Sequence, residues 1–359
     1  MQTSVSQQPN SSIVAPDFTI VGPPGSKTVI HKKQNALHDK SNAEMVKLLA
    51  IAKQLPPIAF DALFEEDTVE LILNPDGKIW HERLGKSMVH ICDMAESRAY
   101  EFIYQIAGCL GKTINQTIPY LEGTLPLDDS RFTALIPPIV FYPAFSIRKR
   151  AVRIFTLAEY VTSGVMTMAQ CELLRRAVMT RKNILIIGGT GSGKTTLGNA
   201  VLNEASVLDP KTRQVIIEDT AELNCTASNK LYLLSCTECD MFTLLKITLR
   251  MRPDRIIVGE VRDHAALALM QSWNTGHPGG IATLHANDCV TGLSRLKTLI
   301  SMSEYAPRDI ESSIVKSVQV LVNIVREDYG RKVREIVEVN GFDLAHSKND
   351  GYLLTPLCA

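Results

Sequence analysis

Apolar positions follow two different rhythms along this chain. Between residues 42 and 55 they recur at helical spacing, with Met45, Leu48, Leu49 and Ala52 on one face. Thr68–Leu73 alternates as a half-buried strand does. Asn74-Pro75-Asp76-Gly77 then supplies turn residues, and residues 78–81 predict the returning strand. Residues 132–140 predict a further strand, interrupted at Pro137-Pro138. These elements predict a small α+β domain. Beyond Thr167 the rhythm changes. A helix with Leu174, Ala177 and Val178 on one face opens a series of short, wholly apolar β-rich runs at residues 184–187, 215–217, 256–258 and 281–284. Helical stretches separate the runs, among them residues 241–251 with Leu244, Leu245, Thr248 and Leu249 on one face. Strands apolar on both faces, alternating with helices, predict a largely parallel sheet covered on both sides.

Residues 1–40 lack either rhythm. They carry Gln-Gln-Pro-Asn-Ser-Ser and Val-Gly-Pro-Pro-Gly-Ser stretches and predict a disordered extension. The expected organisation is that extension, an N-terminal α+β domain at 41–147, a linker at 148–164 and an α/β domain at 165–359. A length of 359 residues suits two domains.

Composition narrows the function classes. Hydrophobic residues make up 45% and charged residues 21%, as in ordinary soluble proteins. Lys plus Arg and Asp plus Glu number 38 each, so no global field favours nucleic acid or anionic lipid. No apolar run approaches the roughly 18 residues that span a bilayer, and the N-terminus has no signal-peptide pattern. Of the eight cysteines, Cys236 and Cys239 have metal-ligand spacing, but no matching second pair exists, so zinc is not expected and reduced thiols are.

The chemistry concentrates at one place. The apolar run 184–187 leads into Gly188-Gly189-Thr190-Gly191-Ser192-Gly193-Lys194-Thr195-Thr196, which matches G-x-x-x-x-G-K-[ST] between a strand and a helix. Glycines let successive N–H groups turn into one concavity for phosphate oxygens, and the following helix adds its positive end. Lys194 is expected on the β- and γ-phosphates of ATP, and Thr195 on Mg²⁺.

Acids follow at strand ends. Residues 215–217 run into Glu218, Asp219 and, beyond Thr220 and Ala221, Glu222. Residues 256–258 run into Gly259 and Glu260. In a parallel sheet these ends share the edge that carries the ligand. One carboxylate can hold Mg²⁺ through water while another orients the attacking water, so Glu218, Asp219 and Glu260 share these roles. The Gly-rich stretch 275–280 with His277, and His285 just after the run 281–284, are expected beside the phosphate loop, with His285 placed to sense the γ-phosphate.

Together these blocks resemble the secretion-ATPase family, which includes type II and type IV secretion motors and pilus-retraction motors. The resemblance covers roughly residues 42–343, and the stretch from Leu249 through Arg262 carries it most closely. Leu73-Asn74-Pro75-Asp76-Gly77 with Trp80, Ile136-Pro137-Pro138 and Phe145-Ser146-Ile147-Arg148-Lys149-Arg150 are similar to the conjugal-transfer subgroup. The resemblance implies a RecA-like P-loop ATPase domain with a smaller N-terminal α+β domain, both serving ATP and Mg²⁺. It further implies a homohexameric ring on the cytoplasmic face of the inner membrane, peripheral to it, with inner-membrane components of the apparatus as partners. It also makes the glycine before Glu260 the family pattern. Arg148 and Arg131 match N-terminal-domain arginines that close on the phosphates, and some of Arg250, Arg252, Arg255 and Arg262 are expected at subunit contacts.

The leading expectation is an ATP-hydrolysing motor of type IV secretion or conjugal transfer. A pilus-retraction or type II secretion motor fits the ATPase blocks nearly as well but not the N-terminal ones. A nucleotide-gated scaffold needs neither Glu260 nor His285. A DNA translocase is disfavoured by the neutral charge balance.

Overall fold

The computed structural model describes residues 18–21, 23, 26, 29–32, 42–149, 153–236, 238–327, 330–345 and 348–358. The chain divides into two units, Met1–Arg150 and Ala151–Ala359.

In the first unit, strands β1 (Phe18–Val21) and β2 (Val29–Lys32) pair antiparallel inside the stretch expected to be an extension. Most of the remainder of that stretch lies outside the described residues. Helix α1 (Asn42–Gln54) buries Leu48 and Ala52 as its spacing predicts, together with Ile51; the Met45 side chain lies outside the described residues. Helix α2 (Pro57–Leu63) opens with proline at its first position, where the missing N–H costs nothing. Six strands then build an antiparallel sheet: β3 (Thr68–Leu73), β4 (Lys78–Arg83), β5 (Val89–Asp93), β6 (Tyr120–Thr124), β7 (Arg131–Leu135) and β8 (Ala144–Arg148), in the order β5-β4-β3-β8-β7-β6. Helix α3 (Glu96–Cys109) packs on α1. Phe102 of α3 meets Phe145 of β8 and Phe132 of β7 at ring distances of 5.1 and 5.8 Å, which fixes the helix on the sheet. The predicted hairpin forms as read, with Gly77 in the left-handed region at φ 81°. The predicted strand at 132–140 ends at Leu135, because Pro137 and Pro138 have no N–H to offer a ladder.

The second unit carries helix α4 (Leu157–Thr162) within the stretch read as a linker. Helix α5 (Met168–Met179) starts on a Thr167 capping box with Gln170. An eight-stranded sheet follows, in the order β11-β10-β12-β13-β9-β14-β15-β16. The four predicted runs are β9 (Ile184–Gly188), β10 (Gln214–Glu218), β12 (Arg255–Val261) and β13 (Ile281–His285). They are joined by β11 (Lys230–Leu234), β14 (Val320–Glu327), β15 (Gly330–Phe342) and β16 (Tyr352–Cys358). From β11 to β14 every neighbour pair is parallel, and β15 and β16 add antiparallel.

Both faces of the parallel part are buried. Leu185 and Ile187 point to a core shared with α7 (Met241–Thr248), α8 (Ala265–Asn274), α9 (Cys289–Ser301) and α10 (Ile310–Ser317). Ile184 and Ile186 point the other way, to α5 and α6 (Lys194–Leu208). That period-two division of a wholly apolar run is the physical content of the doubly covered sheet. Helix α7 stops at Thr248, so Leu249 is exposed and not on its buried face. Among the described residues no helix is long and apolar enough to cross a membrane.

Candidate active site

The carboxyl ends of β9, β10, β12 and β13 lie along one edge of the sheet, and the expected groups gather there. β9 ends at Gly188 and α6 begins at Lys194. Between them Gly191 (φ 69°) and Gly193 (φ 95°) adopt left-handed backbone, which a side chain would strain. Gly188 answers to close approach instead, since a Cβ there would stand 2.3 Å from the carbonyl oxygen of Ile324 on β14. Ser192 is buried, Gly189 and Thr196 are half-buried, and Thr190 and Gly191 are exposed. Lys194 curls back over the loop, its Nζ donating to the carbonyls of Gly188 and Gly189 at 2.8 and 2.9 Å. The α6 N-terminus thus faces the loop's concavity with an ammonium held at its rim, an anion site by geometry and charge.

Glu218, at the end of β10, is 2% exposed. Its Oε1 accepts the backbone N–H groups of Glu222 and Leu223, both at 2.9 Å, which folds the chain beyond β10 back toward α6. Asn199 of α6 secures the fold from the other side. It donates to the Glu222 carbonyl at 3.4 Å and accepts the Asn224 N–H at 2.7 Å. The Thr195 hydroxyl consequently donates to Glu222 Oε2 at 3.3 Å. The acid that meets Thr195 is therefore Glu222. The sequence did not single out Asn199, although its place four residues after Thr195 puts both on one helix face.

Asp219 and Glu260 are engaged elsewhere on the same edge. β12 bulges between Val258 and Val261, where its register against β13 shifts, and this re-aims Glu260. Arg262 donates to Glu260 Oε2 through Nε at 3.0 Å and Nη2 at 2.5 Å, and its Nη1 stands 3.9 Å from Asp219 Oδ2. Burial works against the Arg262 charge, but the hydrogen bond and attraction of Glu260, together with the charges of Asp219 and Glu222, hold its pKa above the ordinary arginine value. Asp219 also accepts from Ser235 Oγ at 2.7 Å. Arg262 therefore spans two of the acids. Gly259, the residue before Glu260, lies against Glu218, and Thr283 of β13 donates to its carbonyl at 2.6 Å.

His285 is exposed at the end of β13, in register with Gly188. The Gly-rich stretch 275–280 is not beside the phosphate loop. It enters β13 from the opposite edge, where Ile184 N–H donates to the Gly280 carbonyl at 2.9 Å. A parallel strand must be entered at the edge opposite its ligand end, so His277 belongs to that edge and its ring meets the Ser272 carbonyl at 3.3 Å. Arg255 is 1% exposed and binds the carbonyls of Gly279 and Val178 at 3.0 and 3.1 Å. It ties strand to loop within the unit and offers no surface for a subunit contact. Arg250 and Arg252 are exposed.

In the first unit, Arg131 on β7 and Arg148 on β8 are cross-strand partners, and Glu70 on β3 stands opposite Arg148. The pairing puts both guanidinium stems on one face of that sheet.

The donor set at Thr195 suits magnesium. A hydroxyl beside a carboxylate, at the rim of a phosphate loop with a buried carboxylate behind it, offers hard oxygen ligands.

Comparison with known proteins agrees with this architecture. The model of the type II/IV secretion system protein family matches residues 113–349. The conjugal transfer protein TrbB of Rhizobium radiobacter is 45% identical over 291 residues, 81% of this chain and 90% of that protein. The type IV secretion system protein PtlH of Bordetella pertussis is 32% identical over 310 residues, 77% of this chain and 90% of that one. The crystal structure of the pilus retraction motor PilT with bound ADP superposes with a TM-score of 0.58 at 17% identity, over 78% of this chain and 80% of that one. That likeness concerns fold alone. On its matched residues and its relatives, this chain belongs to the type II/IV secretion system protein family.

Proposed function

We propose that the protein hydrolyses ATP and uses the turnover to power substrate transfer or pilus assembly in a type IV secretion or conjugation apparatus. It works as a homohexamer on the cytoplasmic face of the inner membrane, held there peripherally by membrane components of the apparatus. The observation that carries the reading is the meeting of Thr195 with Glu222 at the mouth of a glycine loop backed by Lys194. A phosphate-binding loop alone serves binding; an ordered set of acids beside it serves hydrolysis.

The roles follow from position. The loop amides of 188–196 bind and orient the phosphates, and Lys194 leaves its two carbonyls for the β- and γ-phosphates. Thr195 and Glu222 hold Mg²⁺, which when bound offsets charge on those phosphates. Glu218 shapes the segment that presents Glu222. Glu260 accepts the proton of the attacking water once Arg262 shares its carboxylate with that water, and Asp219 takes up the released guanidinium. His285, one strand from Gly188, responds to the presence of the γ-phosphate. Arg148 and Arg131 supply positive charge to the transferred phosphoryl group, an effect of roughly 10³-fold or more in rate.

The test is steady-state ATP turnover and particle mass of the purified protein beside Lys194→Ala and Glu260→Gln. Turnover by the wild type alone, from a ring-sized particle, is expected. Equal turnover in all three overturns the assignment of the site.

A further inference from the structure

Strand order places β14 on the side of β9 away from β13, β12 and β10, and so away from the acids at the ends of β10 and β12. The carboxyl end of β14 and the start of β15 lie at the same edge of the sheet as the phosphate loop. Arg326 and Arg331 are cross-strand partners there.

Both arginines lie on the loop. Arg331 Nε donates to the Gly191 carbonyl at 3.3 Å. A Cβ on Gly193 would stand 2.9 Å from Arg331 Cδ, and one on Gly191 would stand 3.7 Å from Arg326 Nη1. Gly193 is therefore constrained twice, by its φ of 95° and by the arginine stem against it. Both side chains are exposed, and among the described residues neither forms an ion pair with a carboxylate. Two guanidinium groups at a phosphate loop, with no carboxylate partner among the described residues, are what an anion would meet first. The Arg331 bond uses Nε and keeps its terminal fork for a bidentate contact.

We propose that Arg326 and Arg331 form a cationic clamp on the phosphates that the nucleotide keeps after hydrolysis, gripping them from the side of the loop opposite the acids. The inference rests on the reading of residues 188–196 as a nucleotide site. The acids and Thr195 occupy the side where the γ-phosphate is transferred. The paired ends of β14 and β15 face the α- and β-phosphates, common to ATP and ADP. The clamp sets nucleotide affinity and the rate of ADP release, not the chemical step.

The experiment compares the full-length wild type, Lys194→Ala, Arg326→Ala, Arg331→Ala and Arg331→Lys. Calorimetric titration with ADP and with a non-hydrolysable ATP analogue is run at several salt concentrations, beside steady-state kinetics. Each alanine variant is expected to weaken ADP and the analogue by the same factor, about tenfold. The loss should appear in KM far more than in kcat, and the salt dependence of ADP binding should flatten. Lysine at 331 keeps the charge without the fork and should recover part of the affinity. Unchanged ADP affinity overturns the clamp, as does a loss confined to the triphosphate analogue or a fall in kcat at constant KM. Binding by the wild type and its loss in Lys194→Ala test the nucleotide site separately. A wild type that binds neither ligand overturns both readings.

Discussion

A Cβ on Gly259 would stand 2.9 Å from Glu218 Cγ and 3.0 Å from its Oε1, so the glycine before Glu260 is the space into which the neighbouring strand's buried carboxylate fits. Many phosphate-loop enzymes carry an aspartate at that position. Here the carboxylate arrives sideways, from β10, and an aspartate on β12 would collide with it. Gly259→Ala is expected to destabilise the second unit by about 1–3 kcal/mol through overpacking. Glu218→Ala strands the Glu222 and Leu223 amides and costs a similar amount. In the double variant the two costs should not add, because the clash is gone. Additive denaturation midpoints would show that the two residues do not compete for one space.

Glu222, not Asp219, contacts the Thr195 hydroxyl. Glu222→Gln should therefore raise the Mg²⁺ concentration for half-maximal turnover by about tenfold or more, and Asp219→Asn by much less. Chelation of Mg²⁺ should abolish turnover in every variant. A magnesium titration of the rate checks this, and equal shifts in both variants would count against the placement.

Arg255 is a structural cation. Arg255→Met leaves the Gly279 and Val178 carbonyls unpaired in the interior and is expected to cost about 2–5 kcal/mol. Arg255→Lys should recover little, because one ammonium cannot reach both acceptors as a fork does. Urea unfolding reports the loss. A fully stable Arg255→Met protein would show that the Gly279 and Val178 carbonyls do not depend on this guanidinium.

His81 on β4 is fully buried. Thr68 gives its single hydroxyl proton to the Ala62 carbonyl at 2.5 Å, so it can only accept from His81 Nε2–H at 2.9 Å, and the ring is neutral with that tautomer. Burial, with Arg83 nearby, pulls its pKa below the ordinary histidine value. Below about pH 6.5 the unfolded chain then binds a proton that the folded unit refuses. Stability of the first unit should be full above that pH and fall as pH drops through the lowered folded value. Trp80 fluorescence in a Trp273→Phe background follows this unit. His81→Gln, which keeps a donor for Thr68, should flatten the slope between pH 7 and pH 5.5; an unchanged slope would move its origin to other groups.

The sequence by itself determined the parallel core and its ligand loop. Runs apolar at every position, such as 184–187, have no choice but burial on both faces, and the glycines of 188–193 admit few backbones. Turn chemistry likewise determined the hairpin at Asn74–Gly77. Where the sequence misled, it lacked the third dimension. The stretch 275–280 resembles the loop in composition but leads into β13 and so enters the sheet from the far edge, a consequence of the parallel order that composition alone hides. Arg255 reads as one of a charged cluster, and only packing shows it enclosed by carbonyls. β14 escaped notice because the buried Asn323 interrupts its apolar run, and β15 because charged residues interrupt its pattern. With them went Arg326 and Arg331, which reach Gly191 and Gly193 across more than a hundred residues of chain. Which acid meets Thr195 was decided by a buried carboxylate accepting two backbone amides, a choice that spacing does not encode and folding makes.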